Sequence, residues 1–123
     1  MSVVVYELNE VPRRLFDFYA DAFPRSAFAK LRQHSKLFET LTADVGSLSP
    51  WITWPTMHRG VSNVDHEISE LGQTLTKINE EFPNVYKILA QNGIKVGVFG
   101  SLQSYPLPEN LDNFCFYVPD TFA

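Results

Sequence analysis

The chain has 123 residues, the size of one domain, and 45% of them are hydrophobic, which is enough for a folded core. Its net charge of −4 and the lack of a lysine and arginine cluster argue against a nucleic-acid-binding protein. A single cysteine excludes a disulfide framework, and no apolar run is long enough to span a membrane. We therefore expect one cytoplasmic domain over residues 1–123, with no nucleic-acid or membrane partner.

The first third of the chain carries signals for two strands and two helices. The β-branched and aromatic run from Val3 to Leu8 predicts a strand that is buried on both faces. Pro12 begins a helical pattern that Pro24 ends, and Ser26 is placed to cap a second short helix. The alternation from Leu37 to Val45 predicts another strand.

The second half of the chain alternates helices and strands. Weak periodicity from Val61 to Gln73 predicts an excursion over the surface. A helix is predicted over Thr74–Phe82, and a second begins at Pro83-Asn84 and ends at Asn92-Gly93. Strands are predicted over 94–100 and 114–118.

Strands that alternate with helices predict an α/β fold with right-handed crossovers. We expect a three-layer sandwich, with a mostly parallel sheet and helices on both faces. Cys115 lies in the apolar run of the last strand and is expected to be a buried small hydrophobe. Ligands of such sheets bind at the carboxyl ends of the strands, where Glu7, Asn9 and Glu10 follow the first strand.

The segment from Ser49 to Gly60 concentrates residues that could carry chemistry. Each of its two prolines favours the first turn of a helix, so Ser49 or Thr53 could be the N-cap. A hydroxyl there lies at the positive end of a helix dipole, which suits an anion or a nucleophile that faces one. Thr53 and Thr56 are weak nucleophiles until a metal or a base lowers their pKa. The alternative is a helix start with capping threonines and tryptophans in the core.

Two sets of side chains are candidate metal ligands. Glu7 and Asn9 carry oxygens that suit a divalent cation facing a phosphate or sulfate ester. The alternative for this pair is a polar strand end in solvent. His58 and His66 could each ligate zinc, although a structural or surface histidine is the stronger expectation for both.

Three stretches carry a family resemblance. They are the strand Val3–Glu10; Thr53-Trp54-Pro55-Thr56, followed by Arg59-Gly60 and Asp65–Ile68; and the helix-strand step Val85–Gly100. Together they resemble the N-terminal part of the alkaline phosphatase superfamily, in its branch of phosphodiesterases, nucleotide pyrophosphatases and sulfatase-like enzymes. In that family the first stretch ends in a metal-binding acid, and the second holds the nucleophile.

The resemblance implies a metal-dependent hydrolase of small-molecule phosphate or sulfate esters that uses zinc, manganese or magnesium ions. Thr53 or Thr56 would be the nucleophile, with Ser49 as a third candidate. Glu7 and Asn9 would contact the metal, and the position of the expected acid falls on Asn9.

The family takes most of its metal ligands from a C-terminal half that would lie beyond Ala123. We therefore expect the chain to be the N-terminal part of a longer hydrolase domain. Alone it is expected to be inactive and to form homo-oligomers through exposed apolar surface. The alternative is a stand-alone α/β module that binds a ligand or a partner without catalysis.

Overall fold

The computed structural model describes residues 2–120 and has two compact units, one up to Leu41 and one from Thr42 onward. The first unit contains α1 (Arg13–Ala22) and α2 (Ala27–His34). The second contains α3 (Pro50–Arg59), α4 (Asn63–His66), α5 (Thr76–Glu81), α6 (Val85–Gln91), β1 (Val96–Phe99) and β2 (Phe114–Val118). No helix within residues 2–120 has the length and apolar character needed to cross a membrane.

The first unit is a helical pair joined by aromatic contacts. The ring of Phe28 meets Phe16 and Tyr19 edge-on, with centroid distances of 5.5 and 5.6 Å. The α2 helix begins where the sequence predicts, because the Ser26 hydroxyl accepts a hydrogen bond from the Ala29 N–H at 3.1 Å. Both predicted helices of this unit are confirmed.

The two strands predicted before residue 50 are wrong. Val3–Leu8 has no strand partner among the described residues, and the side chains of Val3 to Tyr6 are 75% to 88% exposed. Leu37–Val45 also forms no strand in the described part of the chain. Both patterns reflect β propensity, which measures how well side chains fit a pleated, half-buried surface. A strand also needs a neighbour to pair with, and propensity alone does not provide one.

The sheet of the second unit is parallel. β1 and β2 pair with Val96 opposite Phe114 and Val98 opposite Tyr117. The preceding helix α6 ends at Gln91 with Asn92 as its C-cap, and Gly93, whose φ of 77° is left-handed, then turns the chain toward β1. The parallel α/β character is therefore confirmed. With two strands in the described residues, the predicted three-layer sandwich is not.

Two smaller expectations are corrected. Val61–Gln73 was expected to run over the surface, yet His66 and Ile68 within it are only 0% and 1% exposed. Its periodicity is weak because α4 has only four residues, and the side chains that point inward follow no regular repeat. Cys115 was expected to be buried but is exposed. The half-buried side chains of β2 are those of Phe114 and Tyr117.

The cap of α6 provides a test of the second unit. The Asn84 side chain accepts a hydrogen bond from the Lys87 N–H at 2.9 Å, and Asn84 is buried. We expect Asn84→Ala to lower the free energy of unfolding by about 0.5–2 kcal/mol, because this N–H loses its acceptor. Asn84→Asp keeps an acceptor oxygen and should lose less. Urea unfolding followed by fluorescence of Trp51 and Trp54 measures both, and equal stability of all three proteins would contradict the assignment.

Candidate functional site

Helix α3 arises from its own sequence signals. Ser49 is the N-cap with extended backbone, Pro50 occupies the first turn, and Gly60 ends the helix with a left-handed φ of 70°. Of the two predicted N-caps, Ser49 is therefore correct, and Thr53 lies one turn inside the helix. Pro55 lies in the helix interior, where its missing N–H removes one backbone hydrogen bond. The rest of α3 must be held by other contacts.

Those contacts converge on Thr56. Its Oγ1 atom donates a hydrogen bond to Oδ1 of Asp44 at 2.7 Å and lies 2.9 Å from Nε2 of His66. The same Asp44 oxygen accepts the backbone N–H of Asn63 at 2.8 Å. A third contact joins Thr56 Oγ1 to the Ile52 carbonyl at 3.3 Å. The side chains of Thr56, Asp44 and His66, called here the Thr56 network, thus connect α3 to α4 and to the segment before α3.

The direction of these hydrogen bonds follows from one backbone group. The N–H of Ile68 donates to Nδ1 of His66 at 2.9 Å, so Nδ1 carries a lone pair. In a neutral imidazole the proton is then on Nε2, which donates to Thr56 Oγ1. Thr56 in turn gives its proton to Asp44. Hydrogen bonds are therefore donated from His66 to Thr56 and from Thr56 to Asp44. In this arrangement the imidazole cannot act as a base that takes the proton of the Thr56 hydroxyl.

The charges of the network follow from burial and hydrogen bonding. Burial lowers the pKa of His66 below its ordinary value, and the nearby Asp44 carboxylate opposes this without reversing it. Burial acts to raise the pKa of Asp44, but the hydrogen bonds from Thr56 and Asn63 outweigh it, so that pKa is lowered. A neutral imidazole and an ionised carboxylate are thus the states that the structure favours at neutral pH.

The other two candidate hydroxyls differ sharply. Thr53 is half-buried, and its Oγ1 has one long contact, 3.4 Å to the Ser49 carbonyl. The Oγ atom of Ser49 is buried and has no hydrogen-bond partner in the described residues. Thr53 and Thr56 are both half-buried, and of these two the Thr53 hydroxyl has fewer hydrogen-bond contacts.

The remaining aromatic and charged side chains of α3 belong to its packing. His58 is buried between the rings of Trp54 and Tyr86, at centroid distances of 5.7 and 5.9 Å. Arg59 donates to the Phe82 carbonyl and to Oδ1 of Asn79, which joins α3 to α5. Burial lowers the pKa of this guanidinium. The structural expectation for His58 fits this environment.

The predicted metal ligands Glu7 and Asn9 lie in the first unit, before α1. Glu7 is half-buried and Asn9 is exposed. Glu10, which follows them, adopts a left-handed φ of 55° in a turn. These residues and the threonines of α3 fall in separate units. Their predicted meeting at one edge of a sheet stays a prediction.

The donor atoms decide which side chains fit a metal. The carboxylate of Glu7 and the amide oxygen of Asn9 are hard donors of the kind that magnesium and manganese prefer. His66 does not fit, because one of its ring nitrogens accepts the Ile68 N–H and the other carries the proton. Within residues 2–120 there is no cluster of three or more histidine, cysteine or acidic side chains that could hold a metal ion.

Comparisons with models of protein families, with curated proteins and with solved structures found no match. The resemblance to the alkaline phosphatase superfamily therefore remains an expectation from the sequence.

Sequence reasoning missed Asp44, the charged member of the Thr56 network. It lies in the alternating stretch Leu37–Val45, which was interpreted as a strand. The available signal was an acid two residues before Gly46, a pattern more typical of a turn than of a strand interior.

The Thr56 network gives a stability prediction. We expect Thr56→Ala to lower the free energy of unfolding by about 1–3 kcal/mol, because Asp44 and the buried His66 both lose a hydrogen-bond partner. Thr56→Ser keeps the hydroxyl and should lose less. Thr53→Ala, the matched control on the same helix, should change stability by less than about 1 kcal/mol. Urea unfolding monitored by tryptophan fluorescence distinguishes these outcomes, and equal losses for Thr53→Ala and Thr56→Ala would contradict the network.

The network also gives a pH dependence. The folded pKa of His66 is below its ordinary value of 6.5, so the unfolded chain takes up a proton first as the pH falls. We expect stability to fall as the pH decreases through about 6.5. A second loss should follow below pH 4, since the folded pKa of Asp44 is below its ordinary 3.8. Unfolding at a series of pH values measures both steps.

The control for the first step is the exposed His34. His66→Gln should weaken the step near pH 6.5, whereas His34→Gln should leave it in place. An NMR titration in which the His66 ring protonates above pH 6.5 would overturn the assignment of a neutral, buried imidazole.

Proposed function

We propose that this chain carries the nucleophile segment of a metal-dependent hydrolase that acts on phosphate or sulfate esters. Thr53 would be the attacking hydroxyl. The observation that carries the proposal is that Thr53 Oγ1 has a single long contact, on a helix that the partly buried Thr56 network holds in place. The order of motifs in the sequence adds support, and the three-layer sandwich of that family is part of the proposal.

Thr53 is favoured over Thr56 for a geometric reason. An attacking oxygen needs a lone pair that can face the phosphorus or sulfur atom in line with the leaving group. Around Thr56 Oγ1, Asp44, His66 and the Ile52 carbonyl occupy the directions of approach. Attack by Thr56 would first require this partly buried network to break. Thr53 would give up only a contact of 3.4 Å.

Thr56, Asp44 and His66 are positioning residues in this proposal. A nucleophile must be held within a fraction of an ångström of its reacting geometry, and side chains on rigid elements do so best. Thr56 lies three residues after Thr53, so it is close to one turn further along α3. By tying that turn to α4 and to Asp44, the network would fix the orientation of the Thr53 side chain.

The chemistry proposed for Thr53 is a displacement in two steps. Its oxygen forms a bond to the phosphorus or sulfur while the bond to the leaving alcohol breaks, and the alcohol takes up a proton. Water then cleaves the ester on Thr53 and restores the hydroxyl. Glu7 and Asn9 are the side chains that would hold a divalent ion, and the chemistry such an ion supplies is to lower the pKa of an attacking hydroxyl and to stabilise developing negative charge.

The experiment uses the natural gene product that contains this sequence. Hydrolysis of nitrophenyl phosphate, bis(nitrophenyl) phosphate and nitrophenyl sulfate is measured with zinc, manganese or magnesium. We expect Thr53→Ala to reduce kcat/KM by at least about a thousandfold, as removal of a nucleophile does. Thr56→Ser, which keeps the network, is the matched control and should retain most of the activity.

Acid quenching during turnover gives a second measurement. Mass spectrometry of the peptide that contains α3 should place the phosphoryl or sulfuryl group on Thr53. Modification at Thr56 or full activity of Thr53→Ala would contradict the assignment of the nucleophile. Failure of the natural protein to hydrolyse any of the three esters would contradict the proposed reaction.

A further inference from the structure

The second unit contains a cavity of about 650 Å³ that lies apart from the candidate hydroxyls of α3. Side chains of α5, α6 and β2 line it, together with the loop that connects the two strands. Its volume is in the range of small-molecule sites, which is about 300–1,000 Å³. Neither Thr53 nor Thr56 lines it, so the proposed ester chemistry does not account for it.

Amide side chains are the most frequent polar groups of the lining, and in several of them either the NH₂ group or the oxygen makes no hydrogen bond within residues 2–120. The Asn84 oxygen accepts the Lys87 N–H, which leaves its NH₂ group as a donor. The Asn113 NH₂ group donates to the Ala90 carbonyl, which leaves its oxygen as an acceptor. Oε1 of Gln103 is buried and has no hydrogen-bond partner within residues 2–120. The cavity wall therefore offers both donors and acceptors.

Gln103 is held in this wall at a conformational cost. Its φ of 55° is in the left-handed region. Residues with a Cβ atom adopt this region at a free-energy cost that glycine does not have. Its NH₂ group reaches the Glu70 carbonyl at 3.3 Å, while the amide oxygen stays buried and unpaired. Leaving a buried acceptor without a partner is also unfavourable. Because this oxygen is shielded from solvent, a ligand hydroxyl can donate to it only after the Gln103 side chain rotates toward the cavity, and the new hydrogen bond would then remove the second cost.

Two aromatic rings contribute to the apolar part of the wall. Phe114 and Tyr117 line the cavity and meet edge-on, with centroids 5.2 Å apart. The Tyr117 hydroxyl donates to the Ser104 carbonyl at 2.7 Å, which fixes the ring. Burial raises the pKa of Tyr117, so its phenol remains protonated. The rings therefore offer apolar surface beside the amides.

The charge of the lining excludes an anionic ligand. Three acids contribute to it, Glu80, Glu109 and Asp112, against the single cation Lys87. The ammonium group of Lys87 is already engaged with the Asn79 carbonyl at 3.1 Å. A phosphate or sulfate group would meet net negative charge and no free basic group among the lining residues. This differs from the requirement of an ester hydrolase.

We propose that this cavity binds a neutral, polyhydroxylated small molecule, a sugar of the size of a mono- or disaccharide. Each sugar hydroxyl both donates and accepts, which matches a wall that presents Asn84 as a donor, Asn113 as an acceptor and, once its side chain rotates, Gln103 as a second acceptor. The C–H face of the ring would pack on Phe114 or Tyr117. A neutral ligand also avoids repulsion by the acidic side chains.

The test is an NMR titration of the isotope-labelled full chain with glucose, N-acetylglucosamine and maltose. Inorganic phosphate and putrescine serve as the anionic and cationic probes. We expect at least one sugar to shift the side-chain amide signals of Gln103, Asn84 and Asn113, and phosphate to leave them unchanged. Gln103→Leu should weaken that binding by about tenfold, the loss of one buried hydrogen bond.

Two further variants complete the test. Gln33→Leu makes the same change on the exposed surface of α2 and should leave the affinity unchanged. If Gln103→Leu does not fold, Asn113→Gly removes the other proposed acceptor at a left-handed position that glycine adopts readily, and it too should weaken binding. The proposal is overturned if none of the sugars shifts the lining signals, or if only phosphate or putrescine does. It is also overturned if a folded variant with a substitution in the cavity lining binds the sugar as tightly as the unaltered chain.

Discussion

The hydrogen bond from the Ile68 N–H to His66 Nδ1 determines how the polar interior around α3 is arranged. It assigns the imidazole proton to Nε2, and every later link of the Thr56 network follows from that assignment. If the proton were on Nδ1, it would face the Ile68 N–H, and two donors would meet where the ring is shielded from solvent. Because His66 is fully buried, the protein has no inexpensive way to relieve such a conflict.

This arrangement explains why two similar threonines on one helix take different roles. Pro55 lies between them and weakens the backbone ladder of α3. The Thr56 network compensates with side-chain hydrogen bonds just after the proline. Thr53, before the proline, takes no part in this network, and its hydroxyl has only one long contact, to the Ser49 carbonyl. Helix α3 thus has one threonine that stabilises the structure and, about a turn earlier, one whose hydroxyl is nearly without hydrogen bonds.

Helix ends that are marked by capping residues were predictable from the sequence. Ser26, Asn84, Ser49 and Gly60 each mark a helix boundary where the structure has one, because capping depends on local backbone geometry. The last strand, Phe114–Val118, was also predicted with its bounds. These signals act over three or four residues, so the surrounding sequence contains all the information.

Features that depend on distant partners were not predictable in the same way. Val3–Leu8 has the composition of a buried strand, but pairing is a property of two segments. The importance of Asp44 depends on Thr56 and Asn63, which lie 12 and 19 residues further along the chain. For His66 the sequence left a zinc ligand, a structural histidine and a surface histidine open, since its burial depends on a four-residue helix too short to give a periodic pattern. Of the candidate site, the sequence indicated the hydroxyls and not the groups that constrain them.

The two polar regions of the second unit contrast in how they treat buried groups. In the Thr56 network, three side chains satisfy one another almost completely, and Oδ2 of Asp44 is the buried atom left without a partner in the described residues. Around the cavity, the amide groups of Asn84, Gln103 and Asn113 stay partly unpaired, and two of these residues, Gln103 and Asn113, have a left-handed φ. A satisfied network adds rigidity, because any movement breaks several bonds at once. The unpaired amide groups of the cavity wall are stabilised only when a ligand supplies the missing hydrogen-bond partners, which favours binding of a polar ligand.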